Sequence, residues 1–187
     1  PGYTKPLIKE VAFMIMLRRP PVSPYVIEMY EWFDHPANFF LVLEHPQPCL
    51  NLRDCVNNFG KPSEHTTRIL MRQLMVGVKH CLERGIFHTD LHLKNILVNT
   101  NNLDLKIIDF GIALLVDDEG YAYSQHRGAF MCCPPEVYRH QKFYAVPTSC
   151  WALGVVLFYL VNGDLPFCSK RATLNCNPAA CQSTVST

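Results

Sequence analysis

The 187-residue sequence predicts an α+β fold, and three observations carry that expectation. Short runs rich in β-branched and aromatic residues come in neighbouring pairs joined by turn residues, the arrangement of antiparallel hairpins. One long segment places apolar residues at helical spacing between a serine start and a glycine stop. Another, residues 151–161, is apolar on every side, which is expected of a helix in the middle of a fold.

Residues 7–17 are apolar with few breakers and end at Arg18-Arg19-Pro20-Pro21, so they predict a helix, with Glu10 inside it. Residues 25–33 and 38–43, parted by Asp34-His35-Pro36-Ala37, predict an antiparallel strand pair. A rigid connector, Glu44-His45-Pro46-Gln47-Pro48, follows. Ser63 opens the long helix, whose face carries Ile69, Leu70, Leu74, Val78 and Leu82, and Gly85 closes it. Residues 96–98 and 105–108 form a second strand pair around an Asn-rich turn, and residues 111–145 read as loop. Beyond Phe167 the composition turns Ser/Thr/Asn/Ala/Cys-rich, so residues 168–187 are expected to be a poorly packed tail.

Apolar residues make up 49% and charged residues 18%, with net charge +1. This is a globular composition and argues against nucleic acid as the main partner. The nine cysteines are odd in number, scattered and free of C-x-x-C pairs, which favours a reduced, intracellular compartment. No signal segment opens the chain, and the apolar run 151–161 is short of the roughly 20 residues that cross a bilayer. No membrane partner is expected, and the missing initial methionine points to a fragment.

Three motifs stand in order: His88-Thr89-Asp90-Leu91-His92-Leu93-Lys94-Asn95, Asp109-Phe110-Gly111 and Pro134-Pro135-Glu136. Each alone is weak, because a lone His or Asp is more often structural. Together they are informative: the first follows a helix and precedes a hairpin, and the second ends that hairpin. Phosphoryl transfer needs a carboxylate beside the acceptor hydroxyl and hard oxygen ligands for magnesium. Asp90 is placed for the first role, Asn95 and Asp109 for the second.

The three motifs resemble the catalytic loop, magnesium loop and activation-segment end of protein kinases. Trp151-Ala152-Leu153-Gly154 and Gly163-Asp164-Leu165-Pro166-Phe167 resemble the kinase central helix and the loop after it. The connector Glu44-His45-Pro46-Gln47-Pro48 looks like the hinge of the Pim family of serine/threonine kinases. The resemblance covers residues 5–167. It implies a partial protein-kinase-like fold, with helix C and strands 4 and 5 of the N-lobe and the first half of a mainly helical C-lobe. It implies ATP and Mg2+ as cofactors and protein substrates with Ser/Thr acceptors, in a monomer located in the cytoplasm, with the nucleus as a further compartment.

By that resemblance Asp90 and His92 are catalytic, and Asn95 and Asp109 hold the metal. Leu43 is the gatekeeper; with Glu44, Pro46, Asn51, Leu97 and Ile108 it surrounds ATP. Glu10 is the helix-C glutamate, Asp54 and Lys94 face the substrate, and Glu136 anchors the activation segment. Met14, Phe110 and His88 would stack in a hydrophobic spine.

The sequence also departs from the family pattern. The glycine-rich loop and strand lysine are not among the 187 residues, nor are the helices beyond the central one or the arginine partner of Glu136. His92 replaces a lysine, Thr89 an arginine and Lys94 a glutamate; Ser149 stands where most kinases place an aspartate that Pim kinases also lack, which supports the Pim resemblance. The expectation is therefore a kinase domain (1–167) truncated at both ends and impaired in transfer, followed by a disordered tail. The alternatives are a non-catalytic kinase-like binding module or a non-functional fragment.

Overall fold

The computed structural model describes residues 8–36 and 38–176. Helix α1 (Lys9–Leu17) buries Val11, Phe13, Met14 and Leu17 against a hairpin of β1 (Met29–Asp34) and β2 (Phe39–Leu43). The strand expected over 25–33 is split. Its first part leaves the hairpin, and Ile27 N–H donates to Ile107 O (2.9 Å) while Ile107 N–H donates to Tyr25 O (2.9 Å). This bridge ties the hairpin to the sheet below it.

That sheet has the order β3 (Cys49–Asn51), β5 (Ile96–Asn99), β6 (Leu105–Ile107), all antiparallel. Helix α2 (Leu52–Phe59), absent from the sequence reading, starts directly after β3 with Asn51 as its cap. Helix α3 (Glu64–Glu83) starts at Ser63, whose hydroxyl accepts from Thr66 N–H (3.1 Å), and ends before Gly85 at φ +74°. The left-handed φ there suits glycine. Midway along α3, a Cβ on Gly77 would lie 2.8 Å from Ile107 Cδ1 and 3.1 Å from Tyr25 Cβ, so the missing side chain lets helix and sheet meet.

The stretch 111–145, expected to be loop, is partly regular. Strand β4 (Ile86–Phe87) pairs with β7 (Leu114–Leu115), and β8 (Tyr121–Ala122) with β9 (Lys142–Phe143), with helix α4 (Pro135–His140) between β8 and β9 in the chain. Phe87, Tyr121, Cys133, Val137, Phe143 and Ala145 form a small second core beneath them. Strands of two residues carry no readable alternation, and their partners are distant in the chain, so only long-range packing reveals them.

Helix α5 (Ala145–Asn162) is longer than the 151–161 run predicted, and its 18 residues pass the length and hydropathy criteria for crossing a membrane. It packs along α3 as a core helix does, burying Ala152, Val155, Val156 and Leu160. The expectation of burial on all sides is corrected: Leu157 and Val161 stay 42% and 56% exposed. The expected tail is also corrected for residues 168–176, because α6 (Lys170–Asn175) buries Ala172 and Thr173 and docks on α4. Arg139 donates to Leu174 O, and Lys170 Nζ lies 4.8 Å from the Tyr138 ring centroid. Residues 177–187 lie outside the described residues.

Candidate active site

The catalytic-loop motif follows β4 and is held from within. His88 is buried; its Nε2–H donates to Ile108 O (2.9 Å), and its Nδ1 accepts from Asp90 N–H (3.3 Å). Burial pushes the His88 pKa down, in keeping with a neutral ring that donates from one nitrogen and accepts at the other. The ring stands edge-on to Phe110 at 4.8 Å, and Met14 and Phe110 are both buried in the main core.

Thr89 and Asp109 have φ of +64° and +67°. For side chains other than glycine this backbone is costly, and for a β-branched threonine especially so. Thr89 is held there by its hydroxyl, which donates to Ile112 O (2.9 Å). Asp109 Oδ1 accepts from Gly111 N–H (3.2 Å).

Asp90 has three donors. Ala129 N–H reaches Oδ1 at 2.6 Å, while His92 Nε2 and Asn95 Nδ2 each lie 3.4 Å from Oδ2. Burial, the largest single influence, would raise its pKa, but the hydrogen bonds from His92 and Ala129 and the attraction of the His92 and His88 rings together hold the carboxyl below its ordinary value. Because Lys94 N–H donates to His92 Nδ1 (3.2 Å), the His92 ring proton sits on Nε2 and points at Asp90. Asn95, 7% exposed, also donates from Nδ2 to Asp90 O (3.0 Å). That leaves Oδ1 of Asn95 with no protein donor among the described residues.

The sheet register brings the metal-ligand candidates into line. Ile96 pairs with Ile107, and Ile108 N–H donates to Asn95 O (3.0 Å), so Asp109 begins one residue past Asn95's partner. Glu10 approaches from α1: a Cβ on Gly111 would lie 3.3 Å from Asp109 Oδ1 and 3.6 Å from Glu10 Oε2. The Glu10 pKa is raised, first by burial and then by the charge of Asp109.

The residues expected around the nucleotide share one row. Asn51 pairs with Leu97 and Leu97 with Lys106 across β3, β5 and β6, and strand alternation puts Ile108 on the face of Lys106. Lys106 Nζ then pairs with Glu44 Oε2 at 2.9 Å, and Glu44 N–H donates to Glu28 O (2.8 Å). Leu43 precedes it, partly exposed, and Pro46 follows, half-buried.

Asn51 and Asp54 are occupied with each other. Asn51 Oδ1 accepts from Asp54 N–H (3.0 Å), and Asn51 Nδ2 donates to Asp54 Oδ2 (2.6 Å). Lys94 is exposed. Glu136 is half-buried in the first turn of α4, with no ionic partner among the described residues.

Sequence reasoning missed two members of this site, Ala129 and Lys106. A backbone donor such as Ala129 N–H leaves no mark in residue type. The glycine before it did offer a signal, because a Cβ on Gly128 would overlap the Thr89 carbonyl oxygen. The Lys106–Glu44 pair had none, since the partners lie 62 residues apart.

Comparison with known proteins agrees with this geometry. A family profile described as protein kinase domain matches residues 2–186, past the boundary at 167. The chain is 34% identical over 172 residues to serine/threonine-protein kinase pim-2 of Danio rerio, an alignment covering 89% of this chain and 55% of the relative. It is 35% identical over 146 residues to serine/threonine-protein kinase prk-2 of Caenorhabditis elegans, covering 78% of this chain and 33% of the relative. The chain thus spans about half the length of the first relative and a third of the second. A family match over residues 2–186 and two serine/threonine kinase relatives at 34% and 35% identity show that this chain belongs to the protein kinase family and is similar to its Pim members.

Proposed function

We propose that the protein transfers the γ-phosphoryl group of MgATP to serine or threonine hydroxyls of proteins. The observation that carries this reading is the clustering of Asp90 and Asn95 next to Asp109 at the end of β6. In the reaction the acceptor oxygen bonds to the γ-phosphorus, the bond to the β–γ bridging oxygen breaks, ADP leaves, and Asp90 accepts the hydroxyl proton. The contacts of Ala129 and His92 hold the Asp90 carboxylate ionised and in one orientation, ready for that proton. The row Asn51, Leu97, Lys106, with Ile108 and the Glu44–Pro46 connector, offers the nucleotide a flat, partly apolar seat.

The donors fit magnesium. Among the described residues no three His, Cys, Asp or Glu side chains cluster as a cage, and magnesium takes one or two protein oxygens, with phosphate and water completing its shell. Asn95 and Asp109 would hold it, and when bound it neutralises charge on the phosphate oxygens.

The test is phosphate incorporation into a serine peptide from labelled MgATP. Asp90→Asn is expected to cut turnover by about 10²–10⁴-fold, and equal turnover in both proteins would overturn the reading. A second reading, nucleotide binding without transfer, is favoured by one feature: among the described residues no lysine or arginine pairs with Glu10, Asp90 or Asp109. Titration calorimetry with MgATP alongside the turnover assay separates the two.

A further inference from the structure

Beside Asp90 a groove runs between the catalytic loop, the segment from Ala129 to Cys132, and α5. Its floor is apolar, formed by Leu93, Val155 and Val156, which are almost fully buried, with Leu165 and Met131 at the sides. Its polar lining consists of Arg53, His92 and Lys94, and no carboxylate side chain lines it. Arg53 and Lys94 are exposed, and neither forms an ion pair among the described residues. Asp54, next to Arg53 in sequence, lies outside the lining, and its Oδ2 accepts from Asn51 Nδ2 (2.6 Å) at the start of α2. The rim of the groove therefore presents two cationic side chains without an ion-pair partner among the described residues.

We propose that this groove binds acceptor peptides that carry acidic side chains within a few residues of the serine or threonine, read by Lys94 and Arg53, with an apolar neighbour seated on the floor. This rests on the phosphoryl-transfer reading above and names its substrate class. The physical reason is charge complementarity. A basic peptide would bring its charges against two unpaired cations, whereas a glutamate or phosphorylated side chain supplies the missing partner. A nucleic acid strand, the other polyanion, binds such grooves through stacking on large aromatic rings, and no Phe, Tyr or Trp lines this one.

The test uses the whole chain and three fluorescent serine peptides that share one leucine and differ only in flanking glutamates, glutamines or arginines. Anisotropy titrations at low salt should give the glutamate peptide a Kd about tenfold below that of the glutamine peptide, with the arginine peptide weakest. The margin should shrink as salt rises. Lys94→Glu and Arg53→Glu should each lower or invert the preference, and Lys94→Gln should move it the same way by a smaller step. Both positions are exposed, so thermal unfolding should be unchanged in all three variants.

Tightest binding by the arginine peptide, equal binding of all three, no binding of any, or a preference untouched by charge reversal would each overturn the proposal. So would displacement of the glutamate peptide by a single-stranded oligonucleotide at equal charge. Phosphate transfer to the same peptides is measured in parallel. Transfer without charge preference sinks the acidic-substrate inference and leaves the transfer reading standing. Acidic preference in binding without any transfer sinks the transfer reading alone.

Discussion

Asp90 sits between opposing influences, burial that favours its neutral form and, against it, the hydrogen bonds from His92 and Ala129 with the attraction of the His92 and His88 rings, which together prevail. The Ala129 contact depends on Gly128, since any Cβ there meets the Thr89 carbonyl. Gly128→Ala is therefore expected to push the segment away from Asp90, lowering kcat about tenfold or more while leaving KM for ATP nearly unchanged. Steady-state kinetics check this, and a proportional rise in KM would count against it. Glu10 shows the reverse balance. Its carboxyl is raised above the ordinary 4.5, chiefly by burial and then by Asp109, so the folded state binds its proton more tightly than the unfolded state does. Its contribution to stability is then greatest when protonated and is lost as pH rises from 4.5 through the folded value. Glu10→Gln should raise Tm at neutral pH by about 1–3 °C and show no gain below about pH 4, as read by thermal melts across pH.

Element by element, legibility followed the reach of the signal. Helix α3 was readable because its cap at Ser63, its apolar face and its stop at Gly85 are all local. Ser63→Ala should cost about 1 kcal/mol in chemical denaturation, the usual loss for a hydroxyl cap. Helix α2 has no such mark, as its eight residues offer few turns of periodicity and its cap, Asn51, is by the family resemblance a residue around ATP. The strand over 25–33 was read as one piece because nothing local tells Val26 that its partner is Ile107 rather than the hairpin. At that crossing Gly77→Ala sets a gain in helix propensity of up to about 1 kcal/mol against overlap with Ile107 and Tyr25. Overpacking of this kind costs about 1–3 kcal/mol, so net destabilisation is expected, and a raised denaturation midpoint would refute it.

At the scale of the whole molecule, nucleotide should bind where the hairpin and connector meet the lower sheet. A ligand at 100 times its Kd stabilises by about 2.7 kcal/mol, so saturating MgATP should raise Tm by about 5–10 °C. Asp109→Asn should remove most of the magnesium-dependent part, and an unaltered shift would exclude Asp109 as a metal ligand. Helix α5 illustrates how the whole decides what a segment means: by composition it is apolar enough for a bilayer, and only its packing along α3 makes it a core helix with one open face. The sequence by itself determined the order of the motifs, the long capped helix and the hairpin that carries Asn95 and Asp109, because each is written in residue types a few positions apart. The tertiary structure alone decided that Ala129 N–H grips Asp90, that Lys106 pairs with Glu44, and that Arg53 and Lys94 line one groove. Those contacts join residues distant in the chain, and neither a backbone donor nor a surface cation records its partner in the local pattern.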